Sequence, residues 1–226
     1  MNNYFCWHFF MKIIIICLNK HKNVFIIIYK MSITDFLNNR GFYSFEGYSQ
    51  EVPEQVEDLI KITSKPNINV MEIGFNAGHS AEVFLQNNKE LTLTSFDLGN
   101  HDYVIAAKEY IDDTYPNRHN LILGDSRTSI LMYLKNNKDV KFDIIFIDGG
   151  HEYEIAKADM KNCFHLAHKD TIVIMDDTIF TQGWEEWCTV GPTTTWTEHL
   201  QENKIVELNR RDYCKGRGMS WGKYIL

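Results

Sequence analysis

Short apolar runs rich in β-branched residues recur along the 226-residue chain, each closing on a polar tip and each separated from the next by a helix-length stretch. Residues 91–97 (LTLTSFD), 121–125 (LILGD), 142–148 (FDIIFID) and 171–177 (TIVIMDD) are predicted strands that end on aspartate, and an apolar strand beginning at Val70 precedes them. Strand and helix in alternation predict an α/β fold with a doubly wound, mostly parallel sheet. The unbroken runs IIFI and IVIM suit strands covered by helices on both faces. Residues 204–208 and 219–226 read as two further strands with no full helix between them, so an antiparallel hairpin is expected to close the sheet at the C-terminus.

Chemistry enters at residues 70–80 (VMEIGFNAGHS), where the first of these strands runs into a glycine turn and then a helix. Gly74 suits the backbone angles of a tight turn, and Gly78 lets the helix approach the strand and a ligand in the turn. In parallel sheets, ligands collect at the carboxyl ends of the strands, where Asp97, Asp125, Asp148, Asp176 and Asp177 all lie. A dinucleotide-binding oxidoreductase also places an acid at the second strand's tip. However, the row Gly74, Asn76, Gly78 lacks the glycine pattern that a pyrophosphate needs, and no second domain is expected.

From residue 52 to the C-terminus the chain resembles the class I S-adenosylmethionine-dependent methyltransferases. Within them it is similar to the small metal-dependent O-methyltransferases with a D-G-G-H motif, the methyltransferase 24-like family. The motif E-I-G-F-N-A-G-H-S carries the likeness, with Asn76 where many members have a second glycine. The resemblance implies a seven-stranded sheet and S-adenosylmethionine as cofactor. It implies that Glu72, Gly74, Asn76 and Gly78 bind the cofactor, with Glu72 and Gly74 at its methionine end, that Asp97 binds the ribose hydroxyls, and that Asp125 and Ser126 lie beside the adenine. The chemistry agrees, since a carboxylate accepts two hydrogen bonds from a vicinal diol.

Asp148 and the Asp176–Asp177 pair sit at the tips of neighbouring strands, which lie about 5 Å apart in a sheet. Carboxylates crowded so closely repel unless a cation or protons neutralise them, and all-oxygen ligands suit magnesium. The resemblance assigns the metal to Asp148, Asp176 and Asp177 residue by residue, and the role of general base to His151 in IDGGHEY. A neutral imidazole there removes a hydroxyl proton near pH 7 while the metal lowers that hydroxyl's pKa. The expected activity is O-methylation of a small molecule or sugar, with an S-adenosylmethionine-binding scaffold that has lost turnover as the alternative. His79, His101, His165, His168 and His199 read as surface or helix histidines, with His79 alone near the cofactor.

The flanking segments are less specific. Residues 42–50 (FYSFEGYSQ) read as a lid or cover, and residues 52–62 as a helix with apolar positions at Val56, Leu59, Ile60 and Ile62. Residues 183–200 carry Trp184, Trp187 and Trp196 around a Gly191–Pro192 breaker, and two of the three tryptophans are expected to pack the sheet. Residues 1–30 hold the runs IIIICL and VFIII with four lysines and no acid, so the formal charge of −7 becomes −11 without them. An acidic body disfavours nucleic acid as partner. Lys20, His21 and Lys22 divide the leader's apolar residues into runs too short to span a bilayer, so no stable membrane association is expected and the globular domain is taken as 31–226. Five cysteines without a C-x-x-C pair suit a reducing cytoplasm. The pattern leaves the oligomeric state open, a homodimer included.

Overall fold

The computed structural model describes residues 11–17, 24–46 and 49–226. Strands β1 (Met11–Cys17) and β2 (Val24–Lys30) pair antiparallel with each other in a two-stranded sheet of their own. The rest of the leader lies outside the described residues. Helix α1 (Ile33–Asn39) is capped by the Ser32 hydroxyl, which accepts from the Asp35 amide, and α2 (Pro53–Ile62) starts with proline in its first turn.

The strand and helix pattern of the sequence then runs its course. It gives β3 (Asn69–Ile73), α3 (His79–Asn87), β4 (Thr92–Asp97), α4 (Tyr103–Thr114), β5 (His119–Leu123), α5 (Ser126–Asn136), β6 (Phe142–Ile147), α6 (Tyr153–Phe164) and β7 (Ala167–Asp176). Helix α7 (Trp187–Gln201) leads into the hairpin of β8 (Ile205–Cys214) and β9 (Arg217–Tyr224). The seven-stranded sheet has the order β5-β4-β3-β6-β7-β9-β8, with β3 to β7 parallel and the last two antiparallel. This is the doubly wound arrangement with a closing hairpin expected from the pattern, with the seven strands that the family resemblance implied.

Alternating residues of each central strand serve two cores. Val70, Ile144 and Phe146 face α1 to α4, where Leu59, Phe84 and Tyr110 are buried; Met71, Ile145 and Ile147 face α5 to α7, where Ile130, Met160 and Trp196 are buried. Coverage on both faces explains why the strands read as unbroken apolar runs. The sequence order reverses at β3, so β4 and β6 flank it and the loops after β3, β4 and β6 open at one edge of the sheet.

Two local expectations are corrected. Gly191–Pro192 does not break the chain, because both residues lie inside α7. Gly191 is needed there for close approach: a Cβ would stand 2.1 Å from the His151 carbonyl oxygen, and the helix continues because Thr195 and Trp196 beyond it are buried. The second concerns the tryptophans. Only Trp196 packs the sheet, with its indole donating to Glu207 at 2.7 Å, whereas Trp184 and Trp187 are exposed. Among the described residues no helix is long and apolar enough to cross a membrane, and Cys163, Cys188 and Cys214 are free thiols.

Candidate active site

The β3 exit loop starts at Gly74 with φ +95°, a value that glycine adopts without strain. An added Cβ would lie 1.8 Å from the Asp148 carbonyl oxygen, so this glycine lets the β3 and β6 exit loops run side by side. Asn76 has φ +49° and donates its amide to Asp97 Oδ2 at 2.8 Å, while Gly99 donates to Oδ1 at 2.7 Å. Those two backbone amides orient the Asp97 carboxylate. The Asn76 Oδ1 is buried without a hydrogen-bond partner, which leaves an acceptor in the loop for a ligand or water.

A cavity of about 390 Å³ opens over these loops. Gly74, Asn76, Asp97, Asp125, Ser126, Asp148 and His151 line it, so most of the sequence-derived site residues meet in one place. Asp125 caps α5, accepting from the Arg127 amide at 2.9 Å, and holds the Arg127 guanidinium at 2.5 to 3.1 Å. Those hydrogen bonds keep its carboxyl below the usual range.

Glu72 and Gly78 lie elsewhere. Glu72 is fully buried, accepting from the Ser80 and Ser95 hydroxyls, and burial raises its pKa to about 7. It supports the loop from behind. Gly78 begins α3 at φ +75°, and its neighbours are Ile33 and Phe75 rather than the cavity. His101, not His79, lines the cavity, 3.2 Å from Glu46; His79 is buried against Phe45. Phe42 and Phe45 pack edge-on against Tyr103, which places the expected lid at the cavity rim as far as Glu46.

The acidic cluster assembles from β6 and β7. One ligand atom each of Asp148, His151 and Asp177 lies within 4.8 Å of the others, and His151 Nε2 stands 2.9 Å from Asp177 Oδ2. Asp177 has φ +55°, the turn that aims its carboxylate back at His151. Asp176 takes a different direction: both of its oxygens accept from Gln55 Nε2 at 2.7 Å, and one also accepts from the Asp177 amide. Loss of hydration and the neighbouring charges raise Asp148 well above the carboxylate range and Asp176 to about 7. The hydrogen bond to Asp177 raises His151. Burial works against the Arg217 charge, but Asp176, Asp177 and Asp148 together raise its pKa, so a half-buried cation backs the cluster.

Gln55 and Arg217 were missed by sequence reasoning. Gln55 carried a signal, a polar residue set between Val52 and Leu59 in the apolar stripe of α2; Arg217, at the start of a hairpin strand, carried none. Crowded carboxylates beside an imidazole are a donor set that fits a divalent cation. Asp148 and Asp177 are the oxygens free to take it.

Comparison with known proteins follows the same lines. Residues 71–178 match the family described as a methyltransferase domain. No curated protein sequence matches the chain. Among solved structures, an O-methyltransferase from Bacillus cereus in complex with SAH is similar at TM-score 0.64 and 17% identity, covering 83% of this chain and 87% of the other. A TDP-rhamnose 3'-O-methyltransferase of calicheamicin biosynthesis is similar at TM-score 0.59 and 17% identity, covering 88% and 89%. A ribosomal-protein methylase from Lactobacillus delbrueckii is similar at TM-score 0.57 and 16% identity, covering 80% and 81%. At these identities the likeness is one of fold.

Proposed function

We propose that the protein, whose residues 71–178 match the methyltransferase-domain family, transfers the methyl group of S-adenosylmethionine to a hydroxyl oxygen of a small molecule or sugar, within a single domain of residues 31–226. The observation that carries this reading is the meeting, in one cavity, of the Gly74–Asn76 loop and Asp97 with Asp148 and His151. A nucleoside-binding end and a proton-accepting end then share one space.

Asp97, already oriented by two amides, is set to accept from the ribose diol; Gly74 and Asn76 border the methionine part, and Ser126 and Asp125 the adenine. Asp148 and Asp177 would hold Mg2+, with Asp176 held behind them by Gln55. The bound cofactor supplies a methyl group activated by its sulfonium charge, and the cation an acceptor hydroxyl of lowered pKa. His151 then has one task. With Nε2–H donating to Asp177, its Nδ1 would take the proton of the acceptor hydroxyl, whose oxygen would receive the methyl group that the cofactor would supply.

Substituting His151 by alanine tests the assignment and separates an enzyme from a binding scaffold. Methyl transfer should fall roughly 10² to 10⁴-fold while cofactor affinity stays within about twofold, the pattern of a lost general base. Unchanged turnover removes His151 from the mechanism.

A further inference from the structure

Glu152 stands at the N-terminal end of α6 but does not cap it: its backbone is extended (φ −65°, ψ 136°) and its side chain makes no cap hydrogen bond. The residue lines the cavity beside His151 instead, and its carboxylate has no hydrogen bond or ion pair among the described residues. Trp187, the first residue of α7, lines the same cavity while 77% exposed, and its ring meets the His151 ring edge-on at 5.5 Å. The helix is fixed in that position. Gly191 lies against the backbone of residues 151–153, and Glu186 and Thr189 form a reciprocal capping box at the helix start. A large aromatic surface is therefore held in water, beside the proposed base, with no use in the fold.

The charges in the cavity wall are unequal. Glu46, Asp97, Asp125, Asp148 and Glu152 line it, against Arg127 as the one lysine or arginine among the described residues. The other groups are engaged or assigned: Glu46 has His101, Asp97 two backbone amides and Asp125 the Arg127 guanidinium, while Asp148, with no side-chain hydrogen bond or ion pair of its own among the described residues, is the residue proposed to take the divalent cation. Nearby lysines are engaged as well, Lys157 with Glu198 and Lys215 with Glu186. Glu152 is the carboxylate left over.

Resting on the methyltransferase reading, we propose that Glu152 and Trp187 form the acceptor subsite, that it takes a ring bearing a protonated amine near its reacting hydroxyl, and that it rejects anionic acceptors. The carboxylate attracts the ammonium group, and the indole offers a face for the ring and a cation–π contact. An acceptor that carries a carboxylate or phosphate meets Glu152 with no free cation to balance it. Aromatic amines and aminosugars share this chemistry.

Calorimetry on the full chain loaded with SAH and Mg2+ tests the subsite with two matched pairs of probes, dopamine against 3,4-dihydroxyphenylacetate and glucosamine against glucuronate. In at least one pair the ammonium member should bind about tenfold more tightly, the size of an ion pair plus a cation–π contact at a partly solvated site. Glu152→Gln should reduce that gap to about twofold, and Trp187→Ala should weaken both members of the pair where Trp187→Phe does not. SAH affinity should hold in all three variants. The pair that responds identifies the ring class. Equal binding, preference for the carboxylate member, no binding by any probe, or a gap that survives Glu152→Gln overturns the subsite. Failure of the wild-type chain to bind SAH at all defeats the methyltransferase reading itself, a distinguishable result.

Discussion

At the scale of single residues, the account turns on the His151–Asp177 pair. A base must be neutral to act, and the Asp177 carboxylate stabilises the imidazolium, so the folded pKa of His151 lies above its ordinary 6.5. Methyl transfer should therefore rise with pH through a midpoint above 6.5. Asp177→Asn removes the partner charge and should move the midpoint of the kcat/KM profile downward; a midpoint that stays in place contradicts the pairing. The functional residues legible in the sequence were those whose chemistry is tied to a strand tip. Asp97, Asp125, Asp148 and His151 all reach the cavity because strand ends in a parallel sheet have few other places to point. Glu72 and Gly78 lie in the same motifs but outside the cavity wall, and Asp176 is held by Gln55 near enough to Asp148 for its charge to raise that carboxyl. Glu72 is turned inward by Ser80 and Ser95, and Asp176 by Gln55, partners 8 to 121 residues distant that no local pattern reveals.

At the scale of elements, β3, β4, β6 and β7 were readable because burial on both faces forces continuous apolar sequence, and the turns between them carry glycine or aspartate. The edge strand β5 was placed about two residues late. Its pairing with β4 aligns His119 with Leu93, so Asp125 falls beyond the strand and caps α5. Helix α7 was the least legible element, since glycine followed by proline is a breaker by local propensity and is overridden here by packing on α6 and the sheet. That packing gives Trp196 a structural role with no part in chemistry. Trp196→Ala should cost about 3 to 5 kcal/mol of stability by loss of the buried indole, read as a lower denaturation midpoint, and leave the unpaired Glu207 near the cavity it opens. A loss below about 1 kcal/mol would mean that α7 is not anchored through this residue.

At the scale of the whole molecule, the reversal of strand order at β3 gathers the loops after β3, β4, β5 and β6 around one cavity and puts both proposed halves of the reaction inside it. The acidic body suits a cationic sulfonium cofactor. Isothermal titration of the full chain with S-adenosylmethionine, with and without Mg2+ and with NADH as the comparison ligand, tests the central claim most directly. The account predicts saturable binding of S-adenosylmethionine, a separate heat for Mg2+ and no binding of NADH. A folded sample that ignores S-adenosylmethionine, or prefers NADH, contradicts it.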